Sequence, residues 1–585
     1  MVFMVSKTRT SRNEFIETEV GTIRKNWNGR IRIALAYPNR YHVGMSNLGF
    51  QTVYRAFNAF EHVVCERVFI QEPDESAARG PRSLESDRRL SDFDIIAFSI
   101  SFENDYINLL TLLKQAGLPL RSKDRSPTHP LVIAGGVACL LNPEPIAPFM
   151  DCFLIGESEP LIPRFMEAFD PSKEKQLLLK ELVREIQGIY VPAFYEIRYD
   201  KNGILSSFHP LADAPDTIQP MTLKDSPVKP ASSCLLTPHT AFDDTYLIEV
   251  GRGCPHGCRF CAAGYIYRPP RFRPLTDLKQ CIDAGSAQTR KVGLVGAAVS
   301  DHPDIGNLCR FVDGKDIQLS FSSLRADALT PELLTALKQS GVKTATIAPD
   351  AGSERMRRVI NKGLTEEHIL QAAENLVAYG IPNLRLYFMV GLPTETTEDL
   401  EAVVVLCKQL KHRFLQSSRA RKRMGEITVG LNSFVPKPFT PFQWSAMDEV
   451  SSLKKKIKTV KTALNRVPNV RVYSDIPRWA YVQGFLSRGD RRTAELLVQA
   501  HDNNGNWAKT LKASPINADF YVYRERSTSE NLPWDFIDHG IKKSFLKREY
   551  RRALEGKTTD LCKPDTCNIC GVCKQTNGSI TPNEG

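Results

Sequence analysis

The chain reads as an α/β protein: an N-terminal doubly wound parallel sheet, then a partial (β/α)6 barrel, then a smaller α-rich module with clustered cysteines. Three observations predict this. Short apolar runs alternate with helical stretches from residue 31 to about 170 and again from about 241 to 450, the pattern of parallel strands joined by crossover helices. A proline-rich stretch lies between the two halves, and four closely spaced cysteines near the C-terminus stand apart from both. At 585 residues the chain is too long for one core. The boundaries are placed at 1–170, 171–240, 241–450 and 451–585.

In the first region the strands are Ile31–Tyr37, Ile95–Ile100, Leu131–Ala134 and Cys152–Ile155, with helices at Asn47–Phe60 and Asn104–Ala116. Sheets of this class bind ligands beyond the carboxyl ends of their strands. Those ends carry Ser99, Ser101, Gly135, Gly136, Gly156 and Glu157. Small residues there either leave room for a flat ligand or serve as the turns of a bare scaffold. Phe194–Tyr199 and Ile204–Phe208 read as a β-hairpin turning at Asn202-Gly203. Pro210 to Pro238 reads as a proline-rich linker.

The third region has strands at Tyr246–Val250, Val292–Val295, Ile317–Phe321, Lys343–Ala348, Leu384–Val390 and Ile427–Leu431. Six such strands with interposed helices predict a partial barrel whose active face lies at their carboxyl ends. Directly after the first strand comes Gly253-Cys-Pro-His-Gly-Cys-Arg-Phe-Cys261. Glycine and proline keep this stretch from being helical and let Cys254, Cys258 and Cys261 converge. Three thiolates leave a bound metal or cluster one open position, whereas a structural zinc site normally takes four protein ligands. Polar or small residues end the later strands: Gly296, Ser322, Ser323, Arg325, Asp350, Ser353 and Gly391. Ser353 also suits the N-cap of a helix at Glu354–Ile360, and Thr396 that of one at Glu398–Leu410. Phe434 to Trp444, with three prolines and several aromatics, either lines a substrate pocket or packs on the barrel.

The C-x3-C-x2-C spacing with aromatic Phe260 before the last cysteine resembles the signature of the radical S-adenosylmethionine (radical SAM) superfamily. The resemblance implies that Cys254, Cys258 and Cys261 hold a 4Fe–4S cluster and that its fourth iron chelates S-adenosylmethionine. It would then place Gly296, Ser323, Arg325, Asp350, Ser353 and Gly391 near that cofactor. Gly296-Ala-Ala departs from the usual Gly-Gly-Glu, and Thr394 replaces a glycine in the family's Gly-Leu-Pro-Gly-Glu-Thr turn. The order Ser-Ile-Ser, Gly-Gly, Gly-Glu-Ser-Glu in the first region is similar to the cobalamin-binding domain that precedes the barrel in many members. Ser99, Gly135, Gly136 and Gly156 would then line a cobalamin site. The Asp-x-His-x-x-Gly motif that gives cobalt a histidine is absent, and His42, followed by Val43-Gly44, reads as a loop histidine. Val43–Gly49, Arg478-Trp479, Ser487–Arg492 and Pro533–Asp538 resemble an uncharacterised group with this domain order, which brings no assigned substrate.

Cys562, Cys567, Cys570 and Cys573 follow in C-x4-C-x2-C-x2-C spacing. Four sulfurs within a dozen residues form a ligand set for a second iron–sulfur cluster or for zinc, with the ferredoxin-like rhythm favouring the cluster.

The remaining composition narrows the class. Hydrophobic content of 42%, with no apolar run of membrane-spanning length and no signal-like start, reads as a cytoplasmic protein without a membrane segment. Seven of the 14 cysteines fall in the two clusters, as metal sites in a reducing compartment do. A net charge of +11 is a mild lean, and the basic runs at Lys408–Arg423, Lys454–Lys461 and Lys542–Arg552 read as solvated faces. The expected function is reductive cleavage of S-adenosylmethionine to modify an unactivated carbon, with cobalamin-dependent methyl transfer as its leading form. Radical sulfur insertion on RNA or peptide is the alternative, and a non-catalytic electron-transfer or redox-sensing protein the rival. A ferredoxin- or flavodoxin-type donor is the expected partner, and the substrate could be RNA, a peptide or a small molecule.

Overall fold

The computed structural model describes residues 12–71, 80–211, 213–223, 229–322, 324–418, 425–564, 567 and 569–573. The first sheet contains β1 Ile31–Tyr37, β2 Val63–Phe69, β3 Ile95–Ser99, β4 Leu131–Gly135, β5 Cys152–Leu154 and β6 Ile189–Tyr190. Its spatial order is β2-β1-β3-β4-β5-β6, parallel except for β6. The expected helices run from Leu48 to Asn58 and from Tyr106 to Gln115. The winding reverses between β1 and β3, so the loops leaving those strands diverge and open a crevice at their carboxyl ends.

Two strands go beyond those expected. All seven residues of β2 are buried, Glu66 and Arg67 among them. A charged pair in mid-strand hides the apolar run in the sequence. It is tolerated because Arg67 lies 2.6 Å from Glu85 and 2.7 Å from Glu19, a buried charge being stable only when paired. The two-residue β6 is too short to give a pattern.

The expected hairpin forms from β7 Tyr195–Tyr199 and β8 Leu205–Pro210, with Gly203 at φ 78°. The stretch after it is no free spacer where it is described. Met221 bridges to Gly156 of the first sheet, Ile218 to Ile537 near the C-terminus, Ser232 to Ile248 of the barrel and Leu236 to Val20 of the N-terminal arm. It is a strap laid across the whole molecule.

The second unit begins with β9 Tyr246–Glu249 and the short antiparallel ribbon β10 Gly251–Arg252 and β11 Arg271–Phe272. Then come β12 Lys291–Val295, β13 Gln318–Phe321, β14 Thr344–Asp350, β15 Asn383–Val390, β16 Ile427–Ser433 and β17 Val470–Ser474. Parallel runs β13-β12-β9 and β14-β15-β16-β17 are linked by a bridge between Leu324 and Ile347. The arc therefore holds the six expected strands plus β17, and the sheet continues past residue 450. Val470-Arg-Val-Tyr-Ser474 alternates buried and exposed residues, as an edge strand with one wet face does.

Of the two readings of Phe434–Trp444, packing is the one realised. Phe434, Phe442 and Trp444 are fully buried, and Gln443 accepts from the Trp534 indole at 2.8 Å. Ser487–Arg492 joins the C-terminal region to the first sheet. Arg491 donates to Tyr190 Oη at 2.7 Å and to Glu144 at 3.2 Å, and Asn142 donates to the Gly489 carbonyl at 2.7 Å. Among the described residues no helix is long and apolar enough to cross a membrane.

Candidate functional site

The loop after β10 is shaped by one glycine. Gly253 has φ 83°, and a Cβ on it would lie 2.5 Å from the Tyr267 carbonyl oxygen, so no other residue fits. Cys254, Cys258 and Cys261 follow on one turn, the Cys261 N–H donating to the Cys258 carbonyl at 3.1 Å. Burial pushes the Cys254 thiol up to about 12 and Cys258 up to about 11, and each feels the charge of its neighbouring cysteines. Backbone N–H groups act in the opposite sense: that of His256 on Cys254, those of Ala263 and Gly264 on Cys261. N–H groups aimed at sulfur are what an iron–sulfur cluster uses to stabilise and tune its thiolates. Among the described residues no three His, Cys, Asp or Glu side chains surround a single ion.

Two cations flank this loop. Lys362 Nζ sits 2.6 Å from Asp350 Oδ2, and both it and Arg325 lower the Cys258 thiol electrostatically. Arg325 is paired with Asp327 at 2.9 Å and donates to the Lys362 carbonyl at 3.3 Å. Arg325 and Asp350, expected near the cofactor, thus stand beside Cys258. His256, inside the loop, is buried with Nε2 2.5 Å from Asp301.

The other barrel candidates divide. The Gly296 carbonyl accepts from Ser322 Oγ at 3.0 Å, and Gly296 lines the cavity described below. Ser323 lies outside the described residues. Ser353 is the N-cap of helix Glu354–Val359, accepting from the Met356 N–H at 3.0 Å and donating to Asp399 at 2.5 Å. Its oxygen is occupied within the fold. The Gly391 N–H donates to Glu395 at 2.9 Å, and Glu395 is paired with Lys456 at 3.0 Å. Thr396 precedes helix Thr397–Ser418 and is bonded by Asp399. The Gly391 turn is thus held by its own side chains, even with Thr394 at φ 64° where the family has glycine.

A cavity of about 370 Å³ joins the two sheets. From the first sheet it is lined by Ser99, Ser101, Gly135, Gly136, Gly156 and Glu157, the residues its strand ends were expected to offer, together with Asn47. From the barrel come Glu249, Arg252, Tyr267, Val295 and Gly296, and the floor is apolar, with Leu35, Phe98, Ile133, Leu161 and Ile162. Asn47 caps its helix by accepting from the Phe50 N–H and donates to Ser101 at 2.9 Å, which fixes the rim. Gly136 is required by the fold itself: at φ 107°, a Cβ would lie 2.4 Å from the Ile100 carbonyl oxygen. His42 lies on helix Tyr41–Met45 and does not line the cavity.

At the rim, three glutamates meet three arginines. Arg252 reaches Glu249 at 3.0 Å, Glu159 at 2.7 Å and Glu157 at 3.3 Å. Arg271 pairs with Glu157, and Arg273 with Glu249 at 2.6 Å. Burial would push Glu157 and Glu159 up, but the guanidiniums outweigh it and hold both below the usual carboxylate range. Burial pushes the Tyr267 phenol up to about 12, so it keeps its proton at neutral pH. Of this network only Glu157 stands at a strand end expected from the sequence. The Glu-x-x-Arg spacing of Glu249 and Arg252 beside the cysteine loop was a usable signal; the contacts to Glu157 and Glu159 span about ninety residues and left none.

Of the four C-terminal cysteines, Cys562 is bonded to the first loop. The Cys562 N–H donates to the Pro255 carbonyl at 2.9 Å. Burial pushes the Cys562 thiol up to about 11, with Arg268 opposing and Cys570, Cys573 and Cys567 contributing. None of the 14 cysteines is in a disulfide.

A family model described as the radical SAM superfamily matches residues 248–407, and one described as radical SAM proteins, N-terminal, matches residues 49–192. An uncharacterized protein of Methanocaldococcus jannaschii is 32% identical over 470 residues, 80% of this chain and 90% of its own length. A tRNA-2-methylthio-N(6)-dimethylallyladenosine synthase of Chloroherpeton thalassium is 27% identical over 192 residues, 30% of this chain and 41% of that one. Among solved structures, the radical S-adenosylmethionine methyltransferase TsrM from Kitasatospora setae, with cobalamin and a [4Fe-4S] cluster bound, aligns at 11% identity and a TM-score of 0.47, covering 83% of this chain and all of that one. The cysteine loop at the head of a parallel arc and the matched models lead to one assignment: the chain belongs to the radical SAM superfamily and is an enzyme.

Proposed function

We propose that the protein transfers a methyl group to an unactivated carbon, with a corrinoid in the cavity between the two sheets and S-adenosylmethionine on the barrel side. The observation that carries this reading is the shared cavity, one wall from the ends of β3, β4 and β5, the other from Glu249, Val295 and Gly296. At about 370 Å³ it lies at the lower end of ligand sites, roughly 300–1,000 Å³, and takes a nucleotide-sized group such as the arm of a corrinoid. It stands at the topological switch point, where sheets of this order bind ligands. No histidine lines it, so the corrinoid would be held without one.

When bound, a cluster at Cys254, Cys258 and Cys261 supplies the electron that cleaves S-adenosylmethionine, and a corrinoid supplies a transferable methyl group. The chain's own residues do the rest. The apolar floor excludes water, Tyr267 Oη keeps a proton to donate at neutral pH, and Lys362 and Arg325 offset the negative charge gathered at Cys258. A carboxylate of the cofactor would compete with Asp327 for Arg325, a bidentate partner by geometry. Radical sulfur insertion fits less well, because a sulfur donor must face the substrate and none of the four C-terminal cysteines lines the cavity.

The test is expression with cobalamin supplied, followed by anaerobic purification. A corrinoid absorption band should copurify with the folded protein and be lost in Ser99→Phe, which fills the cavity from β3. Folded wild-type protein that carries no corrinoid refutes methyl transfer. Formation of 5′-deoxyadenosine and methionine with dithionite tests the cleavage separately.

A further inference from the structure

We infer that the substrate of this enzyme is single-stranded RNA, held across the edge strand β17 with its phosphates in a lysine-lined groove and its unpaired bases on Tyr473 and Trp479. The inference rests on the methyl-transfer reading for what is done to the RNA; the binding surface itself does not depend on it.

Helix Val450–Leu464 buries Leu453, Ile457, Val460 and Leu464. Lys454, Lys458 and Lys461 follow the same three- and four-residue spacing on the next stripe and are exposed. Their neighbour Lys456 is neutralised by Glu395 and Asp448, at 3.0 and 2.8 Å. Lys454, Lys458 and Lys461 form no ion pair among the described residues. They make one wall of a groove of about 330 Å³. Ser474, Asp475 and Pro477 make the other, where β17 passes into helix Pro477–Arg488. Asp475 is held at the end of β16, accepting from the Ser433 N–H at 2.8 Å and its hydroxyl at 3.1 Å. Three lysines against one aspartate leave the groove positive, as a track for phosphates must be.

The lysine run has no aromatic residue within it, so the sequence shows a solvated face. The fold brings the rings from the opposite wall. Tyr473, Ile476 and Trp479 are 59%, 56% and 46% exposed. The Trp479 N–H donates to the Ile476 carbonyl at 2.8 Å, which fixes the turn beside the groove. On β17 Val470 and Val472 are buried, so Tyr473 stands on the open face. There it is in register with Gly430 of β16, and Gly430 with Tyr387 of β15. A Cβ on Gly430 would lie 2.8 Å from the Tyr387 ring, so glycine lets that ring lie across β16 toward Tyr473. Exposed rings beside a positive groove suit a single strand, whose phosphates follow the lysines while its bases stack on the rings. An acidic peptide would meet the lysines but has no base to stack. Thr462 and Asn465 add neutral hydrogen-bonding side chains to the lysine wall, suited to the 2′-OH that separates RNA from DNA.

The place in the fold agrees with a substrate surface. All strands of the arc run in one direction, so the end of β17 that opens on the groove is the end at which the cysteine loop follows β9. Among the described residues β17 has β16 as its only strand neighbour, so RNA can cross it from the open edge. A base turned out of the strand at Tyr473 then faces into the arc.

The test is fluorescence anisotropy with the full chain and a labelled RNA of about twelve unpaired nucleotides, read between about 50 and 200 mM salt. Lys454→Gln/Lys458→Gln/Lys461→Gln should lower the slope of log affinity against log salt by about 2. Trp479→Ala should weaken binding about tenfold with the slope unchanged, and Trp479→Phe, which keeps a ring, should recover most of it. DNA of the same sequence should bind more weakly than RNA. All four substituted side chains are exposed, and each variant should keep the circular dichroism of wild type. No binding by wild type, an unmoved slope, or Trp479→Ala as tight as wild type overturns the proposal. So does DNA as tight as RNA, or displacement by polyglutamate or phosphatidylglycerol vesicles as ready as by unlabelled RNA. Wild type that binds RNA but carries no corrinoid refutes methyl transfer alone; wild type that carries corrinoid but binds no RNA refutes the substrate class alone.

Discussion

The strand ends of the first sheet and those of the barrel solve the same geometric problem with a different share of side chains. After β4 the chain turns at φ 107° through Gly136, and after β5 Gly156 would place a Cβ 2.5 Å from the Met221 carbonyl oxygen. β14 ends on left-handed Asp350 at φ 63°, and after β15 come Gly391 at φ 85° and then Thr394 at φ 64°. Glycine on one side removes side chains and leaves an apolar crevice. Side chains on the other side are kept, and Asp350 anchors Lys362 beside the cysteine loop. One sheet offers an apolar crevice, the other charged side chains, and the Glu/Arg network at the rim joins them.

The largest break in this arrangement should come from Arg252→Ala. It leaves Glu159 unpaired and weakens the hold on Glu157 and Glu249, and loss of one partner from a buried ionic network costs about 3–5 kcal/mol. A denaturant titration should show it as a lower midpoint, and a midpoint within experimental error of wild type would mean the network does not weld the sheets. Gly136→Ala comes next, at about 2–3 kcal/mol, because the backbone there is nearly glycine-only and the Ile100 carbonyl cannot give way. If alanine is tolerated, the crevice owes its shape to something other than that contact. Thr394→Gly should be the mildest and of opposite sign. Relief of a left-handed threonine, about 1–2 kcal/mol, less the chain entropy glycine adds, leaves a gain of about 0.5 kcal/mol. A loss of stability would show that the threonine side chain contributes to the turn.

What the sequence disclosed depended on range. Cys254, Cys258 and Cys261 were legible because ligand spacing on one turn is local, and so was the turn at Asn202-Gly203. Ser353 was equally legible as a cap, and the cap is what the structure uses. β2 was hidden because its mid-strand charges meet partners outside the strand, Arg67 pairing with Glu19 and Glu85 and Glu66 accepting from Trp27 and Ser86, which a local pattern does not show. The contact of Cys562 with Pro255 joins residues about three hundred positions apart, and nothing in either motif announces the other.

The strap that follows the hairpin has a consequence for how the molecule is made. Ile218 exchanges hydrogen bonds with Phe536 and Asp538 at 2.7 and 2.8 Å, while Met221 closes on Gly156 beside the cavity. Domains form in the order they leave the ribosome. The first sheet can therefore assemble early, but the pairing that seats its neighbouring strap must wait until residue 538 has been synthesised, by which time both the cysteine loop and the barrel exist. The strap's far anchor is therefore made last, after the sheet and the barrel it crosses, so a chain cut short before residue 536 would carry the strap fastened at one end only.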